Sequence, residues 1–251
     1  GSTLSYIKHI LMENNYNVHS YISPHLKKFN ERIIIKNKQI STAKLLKTLK
    51  YIKKINAGNP ITFFEITTAA AFYLFSKEKA DILILETGLG GRLDATNVIK
   101  NSLVDIITPI GLDHQEYLGD DILSITNEKL GILKKDSQII ISKQKKIIEK
   151  HIKKQIADLS NKKLYYNSNY KINKINKKNF ILSFKNKKLT FLKPNLIGNH
   201  QIENASTAIA TTYILKELGY HFSKKRIENG IRKTLWPGRL EKGSLGSTIV
   251  Y

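Results

Sequence analysis

The side chains best suited to chemistry are concentrated in residues 85–97, LETGLGGRLDATN. An apolar run, Ile82–Leu85, precedes them and is typical of a buried parallel strand that ends near Glu86. Ligands bind just beyond the carboxyl ends of such strands. Here a carboxylate is followed by glycines, which let backbone amides approach a ligand or let the chain turn sharply. The stretch therefore predicts a binding loop for a charged substrate, although GLGG alone would fit a surface turn equally well.

Six further motifs lie at comparable positions along the chain. They are Ser20–Leu26 after an early strand, Thr62–Glu65 opening a helix, Gly111–His114 after a strand, Glu128–Ile132 in a helix that Asp120 and Asp121 suit as N-caps, Gly198–Ala205, and Trp236–Leu240. In this order, and together with residues 85–97, they resemble the folylpolyglutamate synthase/dihydrofolate synthase family, a branch of the Mur ligase superfamily. The resemblance spans Gly1 to Arg239, and the combination is far more specific than any single motif.

The resemblance implies an α/β fold, with a P-loop-type parallel sheet flanked by helices, a small β subregion and the start of a C-terminal α/β domain. Residues 1–235 are expected to form the central ATP-binding domain, and residues 236–251 a hinge and the first strand of the next domain. Gly1–Thr3 match the end of the family's phosphate loop, and its D-x-A-H-N-P segment is not in the sequence. We therefore expect an internal fragment of a protein of ~400 residues, inactive as a ligase by itself.

The implied function is ATP-dependent ligation of L-glutamate to a folate or dihydropteroate carboxylate through an acyl phosphate. A carboxylate is a poor electrophile, so ATP must first phosphorylate it, and magnesium and positive groups must offset the charge of the transferred phosphoryl group. The expected cofactors are ATP and Mg²⁺, and the expected partners are small molecules: dihydropteroate or folate, glutamate and ATP. We expect a cytoplasmic monomer with no nucleic-acid or membrane partner. The sequence leaves open whether one or both folate substrates are used.

The resemblance also assigns roles to individual residues. The implied metal ligands are Ser2, Ser23, Glu86 and His114, and the implied nucleotide contacts are Gly1, Ser2, Asn204 and Arg239. The implied catalytic set is Lys129, His114 and Glu86, with Lys129 carbamylated as in the family. The implied pterin contacts are Thr62, Phe63, Phe64, Glu65, Leu93, Asp94 and Ala95.

Without the resemblance, several of these residues have simpler interpretations. Ser2 would be an ordinary helix cap, and His114 a hydrogen-bonded loop residue. Lys129 would form a salt bridge on a helix surface, and Phe63 and Phe64 would pack in the core. Arg239 suits phosphate because its planar guanidinium can bind two oxygens.

Composition limits the alternatives. The chain has no cysteine, which excludes disulfides and thiolate metal sites and makes magnesium a better candidate than zinc. Its net charge of +22 favours nucleic acid at first sight. However, residues 134–193 hold 18 lysines against 3 acidic residues, whereas residues 81–133 carry 9 acidic and 3 basic residues. The excess charge thus lies outside the motifs and is better explained as a solvated face.

Two other functions are compatible with parts of the sequence. One is a peptidoglycan-type Mur ligase, against which the GRLDATN and WPGRLE stretches argue. The other is an inactive or non-enzymatic nucleic-acid-binding fragment, which the lysine-rich segment motivates.

Hydrophobic periodicity predicts alternating helices and strands, and hence a parallel sheet with right-handed crossovers. The predicted helices cover residues 2–13, 41–55, 63–77, 121–133, 145–159, 200–218 and 223–233. The predicted strands cover residues 18–21, 32–36, 81–85, 103–109 and 138–142, followed by short alternating β segments between 163 and 193.

Overall fold

A computed structural model describes residues 1–238, 243–245 and 248–250 of the chain. Its α-helices are α1 (Ser2–Glu13), α2 (Thr42–Asn56), α3 (Phe63–Lys77), α4 (Gln115–Leu118), α5 (Ile122–Leu130), α6 (Lys146–Gln155), α7 (Asn199–Glu217) and α8 (Lys224–Lys233). Its strands are β1 (Val18–Tyr21), β2 (Ile33–Ile35), β3 (Lys38–Gln39), β4 (Ile82–Leu85), β5 (Val104–Ile107), β6 (Gln138–Ile141), β7 (Lys163–Tyr165), β8 (Tyr170–Ile175), β9 (Asn179–Phe184), β10 (Lys187–Leu192), β11 (Gly243–Leu245) and β12 (Thr248–Val250). Short 3₁₀ helices cover Phe29–Arg32 and Ala95–Val98.

The parallel strands form two ladders. In the first, the order is β3-β2-β1-β4, with β1 and β4 parallel and the short β2–β3 hairpin added antiparallel. In the second, β5, β6 and β7 are all parallel. Among the described residues, no strand pairs with the second edge of β4 or of β5. Ile82, Ile84, Val104 and Ile106 nevertheless pack against one hydrophobic core, so both ladders share a face.

Three apolar clusters hold the helices against these strands. The largest joins α1, α7 and α8 to the antiparallel sheet β8–β10 through side chains such as Tyr6, Ile209 and Phe180, all fully buried. A second covers β1 and β2 with α2 and α3, and a third covers β5 and β6 with α5 and α6. Burial of these aliphatic and aromatic side chains is the main favourable term in folding.

Local sequence determines where the two helices that carry site motifs, α3 and α5, begin. At α3, the Thr62 hydroxyl accepts from the Glu65 N–H, and the Glu65 carboxylate accepts from the Thr62 N–H, which is a capping box. At α5, the Asp121 carboxylate caps the N–H groups of Leu123 and Ser124, and these bonds hold the pKa of Asp121 below its usual range. The predicted Asp120–Asp121 cap is thereby confirmed at Asp121.

The predicted fold class is confirmed, because parallel strands flanked by helices are accompanied by a small antiparallel β region. Strand β2 was predicted, whereas β3, with which it pairs, and α4 were not. The described part of the predicted second segment, residues 236–251, includes two antiparallel strands, β11 and β12. The domain boundary before residue 236 stays a prediction. In the described part of the chain, no helix is both long and apolar enough to cross a membrane.

Candidate functional site

Glu86 is the first residue after β4, and its carboxylate lies between two other chain segments. One oxygen contacts the amino group of Gly1. The other accepts a hydrogen bond from the Ser23 N–H at 3.2 Å. The Glu86 N–H in turn donates to the Tyr21 carbonyl at 2.9 Å, so the parallel pairing of β1 and β4 continues to the point where both loops leave the sheet. Glu86, Ser23 and Gly1 therefore share one edge of the sheet.

The first turn of α1 is joined to the first two turns of α7 by side-chain hydrogen bonds. Gln201 donates to the Ser2 hydroxyl at 3.3 Å, and the Thr3 hydroxyl donates to Asn204 at 3.2 Å. The Asn204 side-chain amide also donates to the Gln201 side-chain oxygen, Oε1, at 3.4 Å, and this bond links the two pairs. Gln201 is only 1% exposed. The structure thus places three nucleotide-binding candidates, Gly1, Ser2 and Asn204, together, although the chain separates them by about 200 residues.

Trp236 closes one side of this region. A Cβ atom added to Gly1 would lie 3.4 Å from the Trp236 ring. Arg239, the fourth nucleotide-binding candidate, lies outside the described residues. Thr3 and Trp236 were not predicted as site residues, and Gln201 was included only as part of a motif. Its position in the Gly198–Ala205 motif was the available signal, whereas nothing in the sequence indicated that Thr3 contacts Asn204.

The predicted metal ligands are only partly brought together. Glu86 and Ser23 lie side by side, with the Glu86 carboxylate accepting the Ser23 N–H. His114 makes no contact with them: it lies seven residues beyond β5 in the left-handed region, with φ of 52°, and its imidazole is 3.7 Å from Asp113. Within the described residues, no three histidine, aspartate or glutamate side chains form a metal-binding cluster. His114 and the three residues after it line an open cavity of about 460 Å³.

The Glu86–Asn97 loop, residues 86–97, packs against α5 immediately beside Lys129. The Arg92 N–H donates to the Glu128 carbonyl at 2.8 Å, and the Arg92 guanidinium binds the Glu128 carboxylate at 2.9 Å. A Cβ at Gly91 would stand 2.5 Å from the Glu128 carbonyl oxygen and 3.0 Å from the Lys129 Cα. Lys129 itself is half-buried and forms no ion pair with the described residues. The absent side chain at Gly91 therefore permits the close contact that sets α5 against the loop.

Substituting Gly91 with alanine tests this contact. The added methyl group would meet backbone atoms that cannot rotate away, so we expect the free energy of unfolding to fall by about 1–3 kcal/mol. Gly111→Ala is the matched control, because a Cβ there would find no atom within 4 Å. Chemical denaturation of both variants gives the comparison, and equal stabilities would contradict the close-packing account.

The predicted pterin-binding residues at the start of α3 differ in whether their side chains are already engaged within the protein. Thr62 and Glu65 are engaged with each other in the capping box, and the Thr62 hydroxyl bond holds the pKa of Glu65 below its usual range. Phe64 stacks on Tyr21 and packs in the second core cluster. Phe63 is 66% exposed and touches Phe29 edge-on. Of these residues, Phe63 is the one with a large apolar surface available to a ligand.

A similar division holds for the second predicted pterin-binding segment. Leu93 is 79% exposed, Ala95 is half-buried, and Asp94 is 8% exposed. The Asp94 carboxylate accepts hydrogen bonds from within its own loop, two of them from the Gly88 and Leu89 N–H groups at 2.9 Å. Two amides of the glycine-rich turn are thus bound to a carboxylate of the same loop, which the sequence pattern did not predict.

Comparison with known proteins places this arrangement in a family. The sequence profile described as "Mur ligase middle domain" matches residues 2–212. The chain is 34% identical to the dihydrofolate synthase/folylpolyglutamate synthase of Bacillus subtilis (strain 168), over 96% of this chain and 59% of that protein. A solved "FPGS-AMPPCP-folate complex" superposes with a TM-score of 0.87 at 28% identity, covering 97% of this chain and 62% of that one.

A second solved structure, "E.coli FolC in complex with DHPP and ADP", gives a TM-score of 0.84 at 29% identity, over 97% of this chain and 56% of that chain. The chain spans about 60% of the length of the curated relatives it matches, with 59% and 61% for the first two.

Proposed function

The chain belongs to the Mur ligase middle-domain family, and we propose that it forms the central ATP-binding part of a ligase that joins L-glutamate to a dihydropteroate or folate carboxylate. Residues 1–235 would form this domain, and residues 236–251 would supply a hinge and the first strand of a further domain. The relatives support the choice of substrates, because they are named for dihydrofolate or folylpolyglutamate synthesis and their structures include ADP, AMPPCP and folate complexes.

One observation carries the proposal: the start of α1 lies against the Glu86 carboxylate through Gly1 and is hydrogen-bonded to α7 through Gln201 and Asn204. The free N–H groups at a helix N-terminus suit phosphate, and the Ser2 hydroxyl lies among them, held by Gln201. Asn204, one turn into α7, offers an amide to a nucleotide. The Glu86 carboxylate, the Ser2 hydroxyl and the free backbone donors at the start of α1 form a site suited to a nucleotide and a divalent cation.

The chemistry divides into two steps. In the first, a substrate carboxylate oxygen attacks the γ-phosphorus of ATP, and the bond to the ADP oxygen breaks. In the second, the glutamate amine attacks the acyl carbon, the carbon–oxygen bond to phosphate breaks, and the amine proton is lost. The α1 N-terminus and Ser2 would orient the phosphates for the first step. Bound Mg²⁺ would offset the phosphate charge in this site.

Glu86, Ser23 and Ser2 are the proposed magnesium-binding residues. Carboxylate and hydroxyl oxygens are the ligands this ion prefers, and the Glu86 carboxylate lies beside the Ser23 backbone. His114 remains part of the proposal as a ligand from the loop after β5. A solved relative with "Mn, AMPPNP and L-Glutamate bound" supports a divalent metal beside the nucleotide.

Lys129 is proposed to act as a carbamate. Its half-buried position on α5, beside the Glu86–Asn97 loop, brings its backbone close to Gly91. An ammonium near magnesium would repel the metal, whereas a carbamate carries the opposite charge and offers oxygen ligands. Among the candidate pterin contacts, Phe63 and Leu93 have exposed side chains. These two would contact the pterin directly.

We propose that the protein is cytoplasmic and monomeric. The absence of cysteine supports the cytoplasmic location. The discriminating experiment for the proposed function is a substrate panel with the complete gene product. Glutamate-dependent ADP release is expected with dihydropteroate, with a reduced folate, or with both. ADP release only with a peptidoglycan-precursor carboxylate would transfer the protein to the peptidoglycan branch of the superfamily.

The lysine-rich face provides a separate test of substrate binding. Lys171, Lys174, Lys177 and Lys178 are all exposed, on β8 and the turn after it. Changing all four to glutamine is expected to alter kcat and KM by less than about twofold, because these side chains are exposed and salt screens the interactions of exposed charges. A large rise in KM for the anionic folate would instead show electrostatic steering.

The same quadruple variant tests the nucleic-acid alternative. Binding to random-sequence DNA is measured from low to physiological salt. We expect the wild-type protein to bind DNA weakly. Any loss of DNA binding in the variant should leave its ligase activity unchanged. Tight binding with a steep salt dependence, lost in the variant together with any biological function, would favour the non-enzymatic alternative.

A further inference from the structure

Asp94 forms the densest hydrogen-bond arrangement in the Glu86–Asn97 loop. One carboxylate oxygen accepts from the N–H groups of Gly88 and Leu89, at 2.9 Å each. The other accepts from the Thr96 N–H at 2.9 Å and from the Thr96 hydroxyl. The residue is 8% exposed. Both oxygens are therefore engaged, and they join the outgoing limb of the loop to its returning limb.

These bonds act on the part of the loop that carries Glu86. Gly88 lies two residues after Glu86, and it packs so tightly on the Phe64 ring that a Cβ would approach the ring to 2.4 Å. Fixing the Gly88 N–H consequently fixes both the backbone that presents the Glu86 carboxylate and the contact with Phe64. Hydrogen bonds from N–H groups to a carboxylate are about twice as strong as neutral ones, which suits them to hold a turn.

We propose that Asp94 is a positioning residue that sets the Glu86 carboxylate and the Phe64 ring in place by binding the Gly88 and Leu89 amides. This is a different role from the direct substrate contact that the sequence resemblance implies for Asp94. It deepens the proposed function and rests on it for the kinetic consequence alone. The hydrogen-bond geometry holds independently of the reaction.

An isosteric change isolates the role. Asp94→Asn keeps the shape of the side chain, but its NH₂ group must face either the two loop amides or the Thr96 N–H, all of which are donors. Thr96→Val is the matched control, because it removes one hydroxyl and leaves all three backbone bonds to Asp94 in place.

Hydrogen exchange of the complete gene product without ligands gives the direct readout. Exchange of the Gly88 and Leu89 amides is expected to accelerate about tenfold or more in Asp94→Asn, and to stay near the wild-type rate in Thr96→Val. Unchanged exchange in Asp94→Asn overturns the proposal. In the wild type, both amides should be protected before substrate is added, and protection that arises only with substrate also overturns it, even should the variant fail to fold.

Kinetics separate positioning from substrate contact. With Glu86 displaced, kcat in Asp94→Asn is expected to fall about tenfold or more, while KM for the pterin substrate stays within about threefold. A rise in KM at unchanged kcat supports direct contact and contradicts positioning. Should the gene product show no glutamate ligation, the proposed function fails, whereas the exchange measurement still decides the role of Asp94.

Discussion

Glutamine in place of Glu86 is expected to lower the turnover number of the complete gene product by about 10³-fold while leaving the fold intact. Glutamine keeps the shape of the side chain and still accepts a hydrogen bond from the Ser23 N–H. It has no charge, so it cannot replace a carboxylate as a magnesium ligand. The site lies on loops beyond the strand ends, where packing demands are low, so the melting temperature should change little.

Glu78→Gln is the matched control for that change. Glu78 is also half-buried and ion-paired, with Lys44, but it lies before the start of β4 rather than after its end. Its replacement should leave kcat near the wild-type value. Both variants are assayed across a magnesium titration. Near-normal activity of Glu86→Gln at limiting magnesium would show that Glu86 is not a metal ligand.

The His114→Ala variant tests the remaining proposed metal ligand, which lies on the loop after β5. The side chain is half-exposed and its imidazole contacts Asp113 alone among the charged groups of the described residues. Loss of turnover in this variant would indicate that the loop after β5 approaches the metal during the reaction. Retained activity would restrict the metal site to Glu86, Ser23 and Ser2.

Alanine at Lys129 is expected to inactivate the enzyme, with partial recovery when a short carboxylic acid such as acetate is supplied. The recovery follows from the proposed carbamate, because a small carboxylate could occupy the space of the missing anion beside the metal. A surface salt bridge would give neither the loss nor the recovery. Lys135→Ala, an exposed lysine shortly after α5, serves as the control and should stay active.

Labelling detects the modification directly. The wild-type protein is supplied with carbon-13 bicarbonate, and a carbamate resonance that disappears in Lys129→Ala is expected. An active enzyme whose Lys129 is shown to be unmodified would contradict the carbamate and leave this lysine as a phosphate-binding or structural cation.

Most of the secondary structure could be predicted from hydrophobic periodicity. The helices α1, α3 and α8 lie within a residue or so of their predicted bounds, because each buries residues at helical spacing and because Thr62 and Ser223 cap α3 and α8. The two-residue strand β3 and the four-residue helix α4 were missed, since elements this short are formed by tertiary contacts rather than by their own pattern.

The candidate site was only partly predictable, for a different reason. Motif order indicated that Ser2 and Asn204 belong to one site, but not that Gln201 and Thr3 would join them. The glycines of the Glu86–Asn97 loop were interpreted as giving a ligand access to backbone amides. Gly91 instead permits close packing on α5, and the Gly88 amide binds Asp94. Contacts of this kind depend on which residues the fold places opposite one another.

The fate of the substrate's carboxylate oxygens tests the ligase chemistry most directly. The dihydropteroate or folate carboxylate is labelled with oxygen-18, and the complete gene product is allowed to turn over with ATP and glutamate. Transfer of one labelled oxygen to inorganic phosphate per molecule ligated is expected, because the amine displaces phosphate from an acyl phosphate. Label found in AMP with release of pyrophosphate, or ligation without any label in phosphate, would contradict the proposed mechanism.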